Sequence, residues 1–174
     1  MPPTVARTRF PTLTAPESAR PSGSTPVEGR SWYRIDNATA DEAEIWIYDE
    51  IGGWGIWACE FVEELSAITA GRITLHLNSP GGSVFEGVAI YNALLGHPAT
   101  ITVKVDALAA SIASVIAMSG DTVIMGRAAQ MTIHNASGMA WGEAAELRAM
   151  ADLLDQITGI IAQVYADRTD TKAA

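Results

Sequence analysis

The sequence predicts an α/β fold in which helices cover a largely parallel sheet. Residues 44–48 alternate apolar and polar side chains, as a half-buried strand does. Apolar residues between 61 and 68 recur at helical spacing, and residues 72–77 form the next strand-like run. A strand, a helix and a strand in succession favour a right-handed crossover between parallel strands. Because 48% of the 174 residues are hydrophobic, the chain can also bury a substantial core.

The first thirty residues differ in composition from the rest of the chain. Residues 1–30 are rich in Pro, Thr and Ser, contain almost no large apolar side chains, and carry four arginines against two glutamates. Such a segment cannot bury enough surface to fold. We therefore predict a disordered leader at residues 1–30 and a single folded domain at residues 31–174.

The charge and the apolar runs disfavour two classes of partner. Residues 31–174 carry seven basic and eighteen acidic groups, a net charge of −11, which disfavours nucleic acid. Gly, Asp or Ser interrupts the longest apolar runs, so no membrane-spanning segment is expected. The single cysteine, Cys59, cannot form an internal disulfide, which fits a reducing compartment. Its apolar helical surroundings predict a position in the core.

A glycine turn follows the strand predicted at 72–77. Residues 78–83 are Asn-Ser-Pro-Gly-Gly-Ser, and Ser83 and Glu86 have the spacing of a capping box at the start of a helix. We expect Phe85 on the buried face of this helix. The glycine turn would expose N–H groups that can bind an oxyanion, although a plain tight turn is the other interpretation. Phosphate is disfavoured because the turn lacks the Lys-Ser/Thr ending of a nucleotide-binding loop.

The segment 106–121 contains a candidate nucleophile, Ser111. A strand-like run at 100–105 precedes it, and the small apolar residues around Ser111 predict a buried helix that ends near Gly120. We therefore expect Ser111 about one turn into a helix, where free N–H groups would surround its hydroxyl. The same small residues are typical of a tight helix–helix contact, so this segment alone leaves both interpretations open.

His134 is the best candidate for a general base among the three histidines. It ends the strand-like run at 129–134, where a polar turn begins, and can therefore reach a cleft. His76 lies inside a predicted strand, and His97 follows the end of a predicted helix. A further short strand is predicted at 122–125. A purely structural role for His134 is the alternative.

A long amphipathic helix is predicted from Gly142 to about Arg168. Its apolar stripe consists of Leu147, Met150, Ala151, Leu154, Ile157, Ile161 and Val164. A helix of this kind near a chain end either docks on a partner subunit or packs on its own core. The pattern does not choose between the two.

Three segments together resemble the ClpP family of serine peptidases. They are Asn-Ser-Pro-Gly-Gly at 78–82, Ala-Ala-Ser-Ile at 109–112 with Ser-Gly-Asp at 119–121, and Met-Thr-Ile-His at 131–134. Their order and spacing match the family, and the helix at 143–168 looks like its handle helix. The resemblance covers about residues 31–170 and implies the spiral of β-α-β units that this family shares with crotonases.

The opening of the domain looks most like the phage branch of the family. The segments concerned are Trp-Tyr-Arg-Ile at 32–35 and Ile-Trp-Ile-Tyr-Asp-Glu-Ile-Gly at 45–52. That branch consists of prohead proteases, which act in capsid maturation.

The resemblance implies a role for individual residues. Ser111 would be the nucleophile, and His134 would be the general base that takes its proton. The N–H groups of Gly82 and Ile112 would form the oxyanion hole. Extended edges beside these positions would receive a substrate strand, through Gly81, Ser83 and Asn135. No cofactor and no metal ion are implied.

The third residue of the family's triad has no match in this sequence. That residue, an aspartate that orients the histidine, comes beyond the handle helix, and Asp106, Asp121 and Asp155 match no such position. A triad without its orienting carboxylate loses about 10⁴ in kcat. We therefore expect either a fragment of a longer protein, with the C-terminal part of the domain missing, or a shortened homologue.

The resemblance implies an ATP-independent serine endopeptidase that processes a phage capsid or scaffold protein. It would act as a ring homo-oligomer assembled through the handle helix at 143–168, in the host cytoplasm or the prohead. A catalytically impaired ring subunit with a structural role is the first alternative. The second is a crotonase-type acyl-CoA enzyme, which would use the glycine-turn N–H groups but would need neither Ser111 nor His134.

Overall fold

A computed structural model describes residues 31–36, 41–53 and 57–169. The predicted leader at 1–30, part of the glycine-rich loop at 54–56 and the chain end at 170–174 lie outside the described residues. The described residues form six strands and four helices, and their alternation confirms the predicted α/β fold. In chain order they are β1 (Tyr33–Asp36), β2 (Glu42–Ile47), α1 (Ala58–Ser66), β3 (Arg72–Ser79), α2 (Val84–Leu95), β4 (Thr100–Ala110), α3 (Ile112–Ala117), β5 (Thr122–Met125), β6 (Gln130–Thr132) and α4 (Ala144–Thr169).

All six strands belong to one sheet. Its order is β1-β2-β3-β4-β5, and β6 also pairs with β4. β1 is antiparallel to β2, whereas the other pairs are parallel, as a chain of crossovers requires. The first half of the long strand β4 pairs with β5, and its last three residues pair with β6. Two short strands therefore share one edge of β4.

The core lies on one face of this sheet. Ile45, Leu75 and Val103 are adjacent in register on three neighbouring strands, and all three are fully buried. Helices α1 and α2 cover them with side chains such as Phe61 and Leu94, which are also fully buried. Burying an aliphatic or aromatic side chain of this size contributes about 1.5–3 kcal/mol relative to leaving it in water. This face therefore holds the sheet and helices together.

The predicted capping box at Ser83 and Glu86 is wrong. Ser83 is the N-cap of α2, but its side chain makes no capping hydrogen bond. The carboxylate of Glu86 instead accepts a hydrogen bond from the N–H of Ala58, at the start of α1. The first N–H groups of a helix have no acceptor within the helix. A carboxylate from a neighbouring helix can therefore accept a hydrogen bond from one of them, as a capping side chain of the same helix would.

The buried face of α2 is also displaced from the predicted one. Phe85 is 63% exposed, whereas Gly87, Ile90 and Leu94 are buried. The position of Gly87 explains the difference, because a Cβ atom there would overlap the side chain of Ile112. The helix turns its smallest residue toward α3, and Phe85 consequently faces outward.

Two further predictions are corrected in the helices. Cys59 is exposed beside Glu60 rather than buried in the core, because α1 buries Ala58, Phe61 and Leu65 instead. In α4, the predicted apolar stripe is buried only in the C-terminal half. The buried residues of α4 are Ile157, Ile161 and Ala166, and its exposed large apolar residues are Leu147, Leu153 and Ile160.

The N-terminal half of α4 extends along the molecule with little burial. Most of its residues between 144 and 156 are exposed. In the described part of the chain, no helix combines the length and the apolar character that crossing a membrane requires.

Candidate active site

Three parallel strands bring the candidate site residues to one place. In the sheet, Ala109 of β4 pairs with Ser79 of β3 on one side and with Met131 of β6 on the other. The segments that follow these strands therefore leave the sheet side by side. They carry the glycine turn, Ser111 and His134.

Ser111 lies at the junction of β4 and α3 rather than one turn into a helix. β4 remains extended through Ala110, because β3 and β6 pair with its second half. Ser111 is the N-cap of α3, with φ 54° and ψ −129°. It is the only non-glycine residue with positive φ in the part of the chain that the structure describes. Such a conformation costs on the order of 1–3 kcal/mol and requires support from its surroundings.

A small cleft of about 70 Å³ joins the predicted site residues. It is lined by Gly82, Val84, Ser111, Ile112, Val115, His134, Asn135, Ala136, Ser137, Ile161 and Tyr165. The candidate nucleophile, the candidate base and both predicted oxyanion-hole residues thus share one lining. Asn135 belongs to it as well, whereas Gly81 and Ser83 flank Gly82 without being part of it.

The glycine turn packs directly against Ser111. Gly81 has φ 97°, and a Cβ atom there would lie 2.7 Å from the Cβ of Ser111 and 2.8 Å from the carbonyl oxygen of Ala110. The N–H of Gly81 donates to Ser79 Oγ at 3.1 Å, and its carbonyl accepts from the N–H of Ile51 at 2.8 Å. Only glycine fits this conformation and this distance.

Two N–H groups are available at the cleft. Among the described residues, no protein group accepts a hydrogen bond from the N–H of Gly82 or from that of Ile112. The neighbouring N–H of Ser83 donates to Ile51 at 3.0 Å, and that of Ser111 donates to Thr132 at 2.9 Å. Free donors beside a hydroxyl group are the arrangement that can stabilise the oxyanion of a tetrahedral intermediate.

His134 is exposed and lies two residues beyond β6. Its Nδ1 is 2.6 Å from the carbonyl oxygen of Asn135. Because a carbonyl oxygen can only accept, this contact places the proton on Nδ1 and leaves the lone pair of Nε2 free to take a proton. Within the described segments, no carboxylate forms an ion pair or hydrogen bond with His134.

The sequence analysis did not identify two features of the cleft, namely the lining residues from α4 and a hydrogen bond behind the lining. Ile161 and Tyr165 reach the lining from α4, whose C-terminal half lies against the start of α3. Ser114 lies behind the lining, fully buried, and its Oγ is 2.7 Å from the hydroxyl oxygen of Tyr165. These residues are 51 positions apart in the chain, and no local pattern links them.

A second histidine site lies on the other face of the sheet. We call it the outer patch, and it consists of Arg34, Trp46, Tyr48, His76 and Asp106. The indole of Trp46 stacks on the imidazole of His76, with ring centres 5.4 Å apart, and the Arg34 guanidinium lies 3.9 Å from the centre of the Trp46 ring. Nδ1 of His76 is 2.9 Å from a carboxylate oxygen of Asp106.

Asp106 holds the polar end of the outer patch together. The hydroxyl of Tyr48 donates to the same carboxylate oxygen at 2.6 Å. Partial burial would raise the pKa of Asp106, but the hydrogen bonds from Tyr48 and His76 outweigh it and lower that pKa below its ordinary value. Burial, and then the hydrogen bond to Asp106, raise the pKa of Tyr48 to about 12. The sequence analysis had placed His76 in a strand without identifying this partner.

Comparison with known proteins shows the family. The Clp protease family model matches residues 27–174. An ATP-dependent Clp protease proteolytic subunit of Pleurastrum terricola is 34% identical over 99 residues, which are 55% of this chain and 50% of that protein. The subunit of the same name from Ligilactobacillus salivarius is 34% identical over 100 residues, 55% of this chain and 49% of the relative. The chain spans about half the length of the curated relatives it matches.

A solved structure shows the same fold. A ClpP1 mutant from Listeria monocytogenes superposes with a TM-score of 0.64 at 21% sequence identity, over 74% of this chain and 72% of that chain. The predicted spiral of β-α-β units followed by a long helix is confirmed. The chain belongs to the Clp protease family.

Proposed function

We propose that this chain is a serine peptidase subunit that hydrolyses peptide bonds, with Ser111 as the nucleophile and His134 as the general base. One observation carries the proposal: both residues line a single cleft with Gly82 and Ile112, whose N–H groups donate to no described protein group. The family supports the reaction type, since the relatives are named as proteolytic subunits.

The residues would act in a fixed sequence. Nε2 of His134 takes the hydroxyl proton of Ser111 while Oγ attacks the substrate carbonyl carbon. The oxyanion that forms accepts hydrogen bonds from the N–H groups of Gly82 and Ile112. His134 then gives its proton to the leaving amine as the C–N bond breaks. Water, activated in turn by His134, hydrolyses the resulting ester and restores Ser111.

The support of His134 differs from that of a complete triad. The carbonyl of Asn135 fixes the tautomer that the mechanism needs, with the proton on Nδ1. A neutral carbonyl stabilises the imidazolium less than a carboxylate does, because it carries no full charge. We therefore propose that this arrangement is active but slower than one with an orienting carboxylate.

The size of the cleft favours a peptide over an acyl-CoA. A cavity of about 70 Å³ is far below the roughly 300–1,000 Å³ of pockets that enclose a small molecule or cofactor. An extended peptide needs less room, because it lies along the surface beside exposed strand edges and inserts only its reacting carbonyl. Asn135 belongs to the lining of the cleft, and Gly81 and Ser83 are the chain neighbours of Gly82, which also belongs to it, so we propose that such a strand passes along these residues.

The finer part of the proposal concerns assembly and substrate. We propose that copies of the chain form a ring through α4, whose N-terminal half exposes Leu147 and Leu153. We also propose that the substrate is a phage capsid or scaffold protein, cleaved without an ATPase in the host cytoplasm or prohead. This part is supported by the segments at 32–35 and 45–52, which resemble the prohead branch.

A fluorophosphonate probe tests the catalytic proposal. We expect the folded chain to be labelled at Ser111, and expect Ser111→Ala to lose the label completely. Ser119→Ala is the matched control, because Ser119 is a buried serine of the same segment whose hydroxyl donates only to Ile116 in the described structure. Mass spectrometry of the labelled peptide identifies the serine. A folded but unlabelled chain would favour the catalytically inert ring subunit, and equal labelling of Ser111→Ala would show that the reactive residue is not Ser111.

A further inference from the structure

We propose that Tyr165 is a positioning residue that acts through Ser114 to hold the backbone turn carrying Ser111. The inference rests on the proposed function of Ser111. It adds a hydrogen bond, between Tyr165 and Ser114, that the Ser111–His134 mechanism does not use.

The turn at Ser111 needs support because its backbone is strained. With φ 54°, a residue with a side chain keeps this conformation only when its neighbours fix it. Three hydrogen bonds do so. The N–H of Ser111 donates to Thr132 at 2.9 Å, while its carbonyl accepts from both the N–H and the hydroxyl of Ser114, at 3.0 and 2.5 Å. The Ser114 side chain therefore closes the turn directly beneath the candidate nucleophile.

The direction of the next hydrogen bond follows from the number of protons. A serine hydroxyl carries one proton, and the carbonyl of Ser111 can only accept. The hydroxyl of Ser114 faces two carbonyl oxygens and donates its proton to the nearer one, that of Ser111 at 2.5 Å, while that of Thr132 lies at 3.4 Å. The 2.7 Å contact with Tyr165 therefore has the tyrosine hydroxyl as donor. The result is a chain from the Tyr165 hydroxyl through Ser114 to the Ser111 carbonyl. Successive hydrogen bonds of this kind strengthen one another.

The surroundings keep this chain intact. Ser114 is fully buried, so water cannot replace Tyr165 as its donor without opening the site. Burial also raises the pKa of the Tyr165 phenol, despite its hydrogen bond to Ser114, and the hydroxyl therefore keeps its proton at neutral pH.

The chain connects Ser111 to the way α4 is seated. Ile161 and Ala166, on either side of Tyr165, are buried residues through which the C-terminal half of α4 packs on the core. The N-terminal half is exposed and free to contact other molecules. A displacement of α4 by about 1 Å would lengthen the 2.7 Å hydrogen bond beyond useful geometry.

The test compares the rates at which a fluorophosphonate labels Ser111 in four variants. Tyr165→Phe removes one hydroxyl and should slow labelling about fivefold, the effect of one neutral hydrogen bond. Ser114→Ala should slow it at least as much, and the double variant should be no slower than Ser114→Ala, because both act through one chain. Tyr33→Phe is the control, since its hydroxyl donates to Glu64 at 2.9 Å on another part of the fold.

The final extent of labelling separates positioning from damage to the fold. A positioning role lowers the rate while the chain is still labelled completely, whereas partial unfolding lowers the final extent. Labelling of Tyr165→Phe at the wild-type rate, or losses that simply add in the double variant, would overturn the inference.

Amide hydrogen exchange keeps the inference separate from the proposed function. We expect faster exchange at Ser111 and Ser114, whose N–H groups are hydrogen-bonded in this turn, in Tyr165→Phe than in the wild type or in Tyr33→Phe. If Ser111 of the wild type does not react at all, the proposed function fails, and the same exchange data decide whether Tyr165 holds the turn. Unchanged exchange at these residues would overturn the inference whatever the labelling shows.

Discussion

The cleft and the outer patch each contain a histidine, but the two histidines have different kinds of hydrogen-bond partner. In the outer patch, His76 contacts the carboxylate of Asp106 and stacks on Trp46. In the cleft, His134 shares a lining with Ser111 but contacts only a backbone carbonyl among the described residues. Judged by the carboxylate alone, His76 would be the better catalytic base.

The difference shows that position in the fold decides the role of a histidine more than its immediate partner does. His76 lies within β3, where its neighbours are side chains of a flat sheet surface. His134 lies beyond the carboxyl end of β6, where strands end together and free N–H groups face a cleft. In open α/β sheets, ligands bind in the crevice outside the carboxyl ends of the strands. The outer patch is held by side-chain contacts alone, whereas the cleft is held by backbone hydrogen bonds together with the side chain of Ser114.

The largest expected effect separates the two histidines by activity. His134→Ala should lower the rate of Ser111 labelling by about 10³-fold, within the range for loss of a general base. His76→Ala should leave that rate within about twofold of wild type, because His76 lies on the other face of the sheet. The measured quantity is the second-order rate constant for labelling of Ser111 by a fluorophosphonate at about pH 7.5. If His76→Ala strongly lowered the labelling rate at an unchanged free energy of unfolding, the outer patch would also contribute to the reactivity of Ser111.

The second expected effect concerns the backbone of the cleft. Gly81→Ala should lower the free energy of unfolding by about 2–4 kcal/mol, because the new Cβ atom meets Ser111 and the φ of 97° is unfavourable for alanine. Gly159→Ala is the control, since a Cβ atom there meets nothing within 4 Å and alanine favours the helix by up to about 1 kcal/mol. Urea denaturation measures both. A Gly81→Ala chain as stable as wild type would contradict the close packing of the turn.

The smallest expected effect concerns the side chains of the outer patch. The pKa of Asp106 is lower in the folded chain than its unfolded value of about 3.9, so the ionised carboxylate stabilises the fold above about pH 4. This contribution to stability is lost as the pH falls through the folded-state pKa. Asp106→Asn should therefore lower stability by less than about 1 kcal/mol at neutral pH, since solvent screens this partly exposed group.

The pH dependence provides the check on this prediction. The stability difference between wild type and Asp106→Asn should shrink when thermal unfolding is repeated between pH 5 and pH 2.5. Asp155→Asn, an exposed substitution on α4, is the matched control and should show no such trend. A difference that grows toward low pH would mean that Asp106 is not held as a carboxylate by Tyr48 and His76.

From β2 onward, the sequence was sufficient for the order of the elements but not for their ends near the site. The β-branched run at 100–105 predicted a strand, but the following Asp-Ala-Leu-Ala-Ala favours a helix by local propensity. Pairing with β3 and β6 keeps these residues extended to Ala110. That tertiary effect moved Ser111 from the interior of a helix to its N-cap, and no local pattern could show it.

The contacts around the site were less predictable than the site residues themselves. The glycine turn, Ser111 and His134 were predicted as site residues from their residue types and from the resemblance to a family, and the structure brings them to one cleft. The pair of Tyr165 and Ser114 depends on how α4 crosses α3, and the pair of His76 and Asp106 depends on the register of neighbouring strands. The spacing of apolar residues shows which side chains face the core. It does not show where α4 crosses α3, or that His76 and Asp106 come within hydrogen-bond distance on the other face of the sheet.

The strained backbone at Ser111 means that this fold is not at its own thermodynamic optimum. Glycine would adopt a φ of 54° without a clash, and the roughly 1–3 kcal/mol of strain exceeds the roughly 0.5–1 kcal/mol by which glycine's greater freedom favours the unfolded chain. A chain shaped only by the demand to stay folded would therefore drift toward glycine at this position. Under the proposed function, a serine is kept for its reactivity at a position where stability alone would favour glycine.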